Sequence, residues 1–121
     1  MPHVKAHMLD VLKKELTFLE RGGYRDPNRW VPASIFEDSP TCIYPDRSQP
    51  NPCQQCPLMT FVPSGRRDTP APCRHIPLNE EGYTLDNMYR FNTRQEIEGT
   101  VKDWLKKTIV KLEAAERTQS T

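Results

Sequence analysis

From residue 3 to residue 21 the apolar positions Val4, Met8, Leu9, Val11, Leu12, Leu16 and Leu19 recur at helical spacing, while Asp10, Lys13, Lys14, Thr17 and Arg21 take the opposite side. The pattern predicts an amphipathic helix over 3–21, with Glu15 as a polar blemish close to its apolar face. Gly22-Gly23 follows directly and supplies the left-handed residue that ends a helix and satisfies its last carbonyls. A second stripe is formed by Ile97, Val101, Trp104, Leu105, Thr108, Ile109, Leu112 and Ala115, with Lys102, Asp103, Lys106 and Lys107 facing away. It predicts a helix over 93–117. Thr93-Arg94-Gln95-Glu96 opens it as a capping box, in which the Thr hydroxyl meets the amide three residues on and the Glu carboxylate reaches back.

Between these stripes the periodicity breaks down. The segment 24–40 holds Pro27, Pro32 and Pro40 among Tyr24, Trp30, Ile35 and Phe36, too interrupted for a helix of any length; Trp30, Ile35 and Phe36 are expected to fold back onto the helices as apolar plugs. Residues 41–44 read as a short strand, 58–62 (Leu-Met-Thr-Phe-Val) as the best strand of the chain, and 73–78 as a returning strand, which together predict a small antiparallel β-ribbon. Asn79-Glu80-Glu81-Gly82 reads as a turn, and 84–90 as one or two helical turns with Leu85, Met88 and Tyr89 inward. The expected fold is therefore α+β in one domain: terminal helices packed antiparallel, bridged by a Pro-rich centre over 24–92.

Composition sharpens this division. Of 12 prolines in 121 residues, all but Pro2 lie between Pro27 and Pro77. With 17 basic and 16 acidic residues the net charge is +1, so no long-range field favours nucleic acid or an anionic membrane. No apolar run approaches the roughly 18 residues of a spanning helix. The opening residues Met1-Pro2-His3-Val4-Lys5 lack a hydrophobic signal core, and a cytoplasmic, reducing compartment is the expectation.

All four cysteines fall in the centre, spaced Cys42-x10-Cys53-x2-Cys56-x16-Cys73, with His75 just beyond. Two thiolates separated by two residues point at one ion across a tight turn, and two more complete a tetrahedron. In a reducing compartment clustered cysteines are more often metal ligands than disulfides. The expected site is an all-thiolate zinc centre of Cys42, Cys53, Cys56 and Cys73; His75 is the alternative fourth ligand in place of Cys42. Residues i and i+2 of a strand point to opposite faces, which argues against Cys73 and His75 sharing an ion. A [4Fe–4S] cluster takes the same four thiolates and stands as the alternative cofactor. Zinc with four thiolates carries a formal charge of −2, and Arg47, Arg66, Arg67 and Arg74 beside the ligands are placed to screen it. On this reading the ion replaces an apolar interior that the centre is too polar to build for itself, since a structural zinc contributes about 10–16 kcal/mol in zinc-finger peptides.

The segment 41–58, carrying Cys42-x10-Cys53-x2-Cys56-Pro57-Leu58, resembles the cysteine-rich segments found beside or within PAS-type sensor regions of bacterial signalling proteins. The resemblance implies a bacterial signalling or regulatory context and leaves zinc against iron–sulfur open; the five strands of a full PAS domain have no counterpart in this chain. No Gly-rich phosphate loop, His-Glu-x-x-His helix or paired carboxylates in a plausible cleft are present, and Cys73 with His75 is better explained by ligation than as a nucleophile and base. The functional expectation is a non-enzymatic metal-binding module that engages another protein or itself, the latter through a four-helix bundle of two amphipathic pairs. The alternative is a redox or labile-metal sensor.

Overall fold

The computed structural model describes residues 2–25, 34–36, 56–69 and 71–119. Among them are three α-helices: α1 (Pro2–Glu20), α2 (Leu85–Phe91) and α3 (Arg94–Gln119). Three 3₁₀ turns, Pro57–Phe61, Ser64–Arg66 and Pro72–His75, come between α1 and α2.

The core lies between α1 and α3. α1 buries Met8, Leu9, Val11, Leu12 and Leu19, and α3 buries Ile97, Val101, Leu105 and Ile109. The helices run antiparallel: Lys13 Nζ pairs with Glu113 at 3.0 Å, Glu20 with Lys102 Nζ at 3.6 Å, and Arg25, just past α1, with Glu98 at 3.1 Å, so advancing along one helix retreats along the other. The first two pairs are exposed and contribute about 0–1 kcal/mol each, whereas Glu98 in the third is buried. They mark the register; apolar burial, at about 1.5–3 kcal/mol per large side chain, holds it.

α1 ends through both of its glycines. Gly22, at φ +73°, donates its amide to the Leu19 carbonyl at 3.0 Å, and Gly23 donates to the Phe18 carbonyl at 2.9 Å, the paired bonds of a Schellman motif. The two glycines are required for different reasons. Gly22 needs its left-handed backbone, whereas a Cβ on Gly23 would lie 2.4 Å from the Phe18 ring. That ring stands edge-on to Tyr24 with centroids 4.8 Å apart. At the other end, the Thr93 box is fully formed: Thr93 N–H donates to Glu96 Oε1 at 2.9 Å and Glu96 N–H to Thr93 Oγ1 at 3.1 Å. α2 opens on a second box, Thr84 with Asn87.

The expected α+β class is corrected: the described residues contain no β-strand, and the fold is predominantly helical. The segment 58–62 is the 3₁₀ turn Pro57–Phe61 with Val62 as its C-cap. Its side chains explain why. Leu58 and Val62 are buried, Phe61 is half-buried and Thr60 is exposed, an inward set at i, i+3 and i+4 rather than i, i+2 and i+4. Pro57 fixes the helical φ at its start and Pro63 follows its end, so the β-favouring composition had no room to extend. Likewise Cys73 lies in the 3₁₀ turn Pro72–His75, again begun by a proline. The strand expected at 41–44 lies outside the described residues.

A second correction concerns the centre's interior. Ile35, Phe36, Leu58, Val62, Ile76 and Leu78 are each at most 4% exposed and join one core cluster with α1, α2 and α3. The apolar residues of the centre come in short clusters between prolines, such as Ile35-Phe36 and Phe61-Val62, and the irregular chain delivers each cluster to the helix pair. The same residues cover the faces that a second helix pair would need. Of the large apolar side chains on α3, Val110 is the exposed one among the described residues.

Gly22→Ala is expected to lower stability by about 1 kcal/mol, the cost of a left-handed alanine. Gly23→Ala should cost more, because the Phe18 ring must leave its seat; urea denaturation of both variants ranks them. The Thr93 amide first, then the Thr93 hydroxyl, holds the Glu96 carboxyl below the ordinary glutamate value. Since the folded value is depressed, the stability it confers is present above the ordinary glutamate range and is lost as pH falls through the folded value. The stability gap between wild type and Glu96→Gln, measured by denaturation across pH, is therefore expected to be widest near neutrality and to close in acid.

Candidate functional site

Two of the four cysteines, Cys56 and Cys73, belong to the described residues; Cys42, Cys53 and Arg47 lie outside them. Cys56 is the N-cap of the turn Pro57–Phe61, and Cys73 lies in the turn Pro72–His75. These two turns pack on each other, and the first also packs on α1. Both thiols are half-buried and lie against the core cluster. The fold thus brings the second half of the Cys53-x2-Cys56 knuckle to the turn that holds Cys73, across 17 positions of chain.

His75 is placed differently. Among the described residues no three His, Cys, Asp or Glu side chains gather closely enough to hold an ion, so Cys56, Cys73 and His75 do not make three corners of one site. Cys73 and His75 lie in one 3₁₀ turn, so the strand argument against His75 no longer applies. Neighbours in a 3₁₀ turn advance by about 120°, so positions i and i+2 point about 120° from each other. The arginines are likewise accounted for in part: Arg67 Nε donates to the Val62 carbonyl at 3.0 Å, the Arg74 guanidinium lies 5.6 Å from the centre of the Tyr89 ring, and Arg66 is exposed.

A buried polar chain lies beside this region, and its connections are not readable from spacing. Glu15, 1% exposed on α1, accepts a 2.7 Å bond from the Tyr24 hydroxyl. Tyr24 Oη in turn accepts the Phe36 N–H at 2.9 Å, and Tyr89 Oη accepts the Ile35 N–H, also at 2.9 Å. Two tyrosines from separate parts of the chain therefore serve consecutive amides of an irregular segment. The apparent blemish at Glu15 is the acceptor that orients the first. A glutamate on an apolar face followed, just past the helix end, by a tyrosine is the sequence signal that points to such a pair. Phe36 itself adopts φ +69°, a region that costs a side-chain-bearing residue about 1–2 kcal/mol.

Trp104 of α3 joins the two regions. Phe36 meets its ring edge-on at 6.1 Å and Phe61, the last residue of the Cys56 turn, at 5.1 Å. At the far end of the helix pair an open groove of about 250 Å³ is lined in part by Leu19, Gly22, Gln95 and Gly99. The charged groups along it pair with each other, Arg25 with Glu98 and Lys102 with Glu20, and Arg94 reaches Glu98 from one turn away.

Comparison with protein families, with curated proteins and with solved structures yields no match to this chain. No helix among the described residues is long and apolar enough to cross a membrane.

Tyr24→Phe removes the acceptor of a buried amide and the donor to a buried carboxylate together. At about 1–3 kcal/mol for each group that loses this partner, the expected loss is about 2–6 kcal/mol. Tyr89→Phe strands one amide and is expected to cost about 1–2 kcal/mol. Equilibrium denaturation of the two variants tests the order.

Proposed function

We propose that the chain is a non-enzymatic metal-binding module in which Cys42, Cys53, Cys56 and Cys73 hold one zinc ion as thiolates, and that it serves as a regulatory or protein-binding unit. The observation that supports this reading best is the contact between the Cys56 turn and the Cys73 turn, with both thiols half-buried on a common core. The described donors suit a thiophilic ion: two soft sulfurs, with the imidazole of His75 not gathered beside them. A bound zinc would supply cross-links between the knuckle and the rest of the centre, with no chemistry of its own to perform.

The resemblance of residues 41–58 to cysteine-rich segments of bacterial sensor proteins supports a regulatory setting. A partner protein is favoured over a four-helix bundle of two copies, because the apolar stripes of α1 and α3 are already covered within the chain.

Elemental analysis after reducing, anaerobic purification is expected to give one zinc per chain and a colourless protein. Cys56→Ser and Cys73→Ser are expected to weaken metal retention at least roughly tenfold against a competing chelator, whereas His75→Ala leaves it unchanged. A brown protein with iron and sulfide would replace zinc by the cluster. Wild-type protein that takes up neither metal, or retention that follows His75, rejects the reading.

A further inference from the structure

Phe36 combines three properties that rarely occur together. It is 2% exposed, its φ is +69°, and its amide is held by the hydroxyl of a tyrosine. A bulky residue persists in that backbone region only where its surroundings over-determine it. Here the surroundings are specific groups: Tyr24 Oη on the Phe36 amide, Tyr89 Oη on the Ile35 amide, and the Trp104 ring against the Phe36 ring. The bonds are made by side chains, so they can be exchanged for water without unwinding either long helix. Leaving the site also lets Phe36 relax to an ordinary φ.

We propose that Ile35 and Phe36 form a releasable plug: a small cooperative unit, seated by the two tyrosine hydroxyls and coupled through Trp104 to the turn that begins at Cys56, which withdraws from the helix pair while α1 and α3 stay folded. The coupling has a direct physical route. Phe61 closes the Cys56 turn and presses edge-on against Trp104 at 5.1 Å, and Trp104 presents its ring to Phe36 at 6.1 Å. A disturbance of the turn therefore moves the surface on which Phe36 rests. The plug stands apart from the identity of any ion, but its regulatory sense rests on the thiolate reading above: ligation at Cys56 would keep the plug seated, and loss of ligation would loosen it. Segments that order and disorder while their scaffold persists are drawn from the less stable end of a structure.

Native-state hydrogen exchange on the full chain, read by NMR at the amides of Ile35, Phe36 and Leu105, tests the proposal. In wild type, Ile35 and Phe36 are expected to share one opening that is at least tenfold more populated than that of Leu105 and less dependent on denaturant. Exchange at all three through one opening with one denaturant slope overturns the plug. Tyr89→Phe is expected to speed exchange about tenfold at both Ile35 and Phe36, leaving Leu105 unchanged; acceleration confined to Ile35 overturns the cooperative unit. Phe61→Leu is expected to speed both plug amides relative to Leu105, and an unchanged plug in that variant overturns the coupling. Elemental analysis reads the metal separately, so failure of one idea is not mistaken for failure of the other.

Discussion

The antiparallel contact between α1 and α3 is the constraint on which the rest of the structure depends. Most of the stability of each helix comes from burying one stripe of side chains against the other. Leu12 and Leu105, both fully buried, lie in that seam. Once it is set, Ile35, Phe36, Leu58, Val62, Ile76 and Leu78 have a common surface to dock on, and the backbone that carries them need not be regular. Proline-rich chain is suited to this mode of packing. Its missing amide donors exclude it from ladders, but short 3₁₀ turns begun by Pro57 and Pro72 still present a side chain inward.

Irregular backbone near a core needs partners for its amides, and here they come from hydroxyls. Tyr24 and Tyr89 serve Phe36 and Ile35 in the way a neighbouring strand would serve a ladder. Glu15 completes the first bond by accepting the Tyr24 proton, so a carboxylate facing a core is part of the device that holds the centre down. Glu98 plays a comparable role near the start of α3, where Arg25 and Arg94 both reach it.

What could be read from residue order was whatever depends on near neighbours. The stripes of α1 and α3 follow from 3.6-residue periodicity, the Gly22-Gly23 stop from backbone freedom, and the Thr93 box from a four-residue pattern. The ribbon failed because composition was weighed above phase: 58–62 holds strand-favouring residues, yet Leu58, Phe61 and Val62 are the inward ones, a helical interval. The count of apolar runs in the centre also misled. Short apolar clusters such as Ile35-Phe36 and Phe61-Val62, separated by prolines, look too sparse for a core until the fold shows them converging. Pairings such as Glu15 with Tyr24, or Ile35 with Tyr89 across 54 positions, depend on the tertiary path and leave little trace in local spacing. Of the proposed ligand set, the turns bearing Cys56 and Cys73 are seen together, while Cys42 and Cys53 lie outside the described residues.

Arg25 meets Glu98 across 73 positions of chain. A loop of that size already bears nearly all the entropy that closing it demands, because the cost rises only with the logarithm of length; doubling it would add about 0.6 kcal/mol. Insertions or deletions in the exposed parts of the intervening chain therefore change the closure entropy of the helix pair very little. Length can therefore vary in the exposed stretches of that span, while Ile35, Phe36, Leu58, Val62, Ile76 and Leu78 fix the places where it docks.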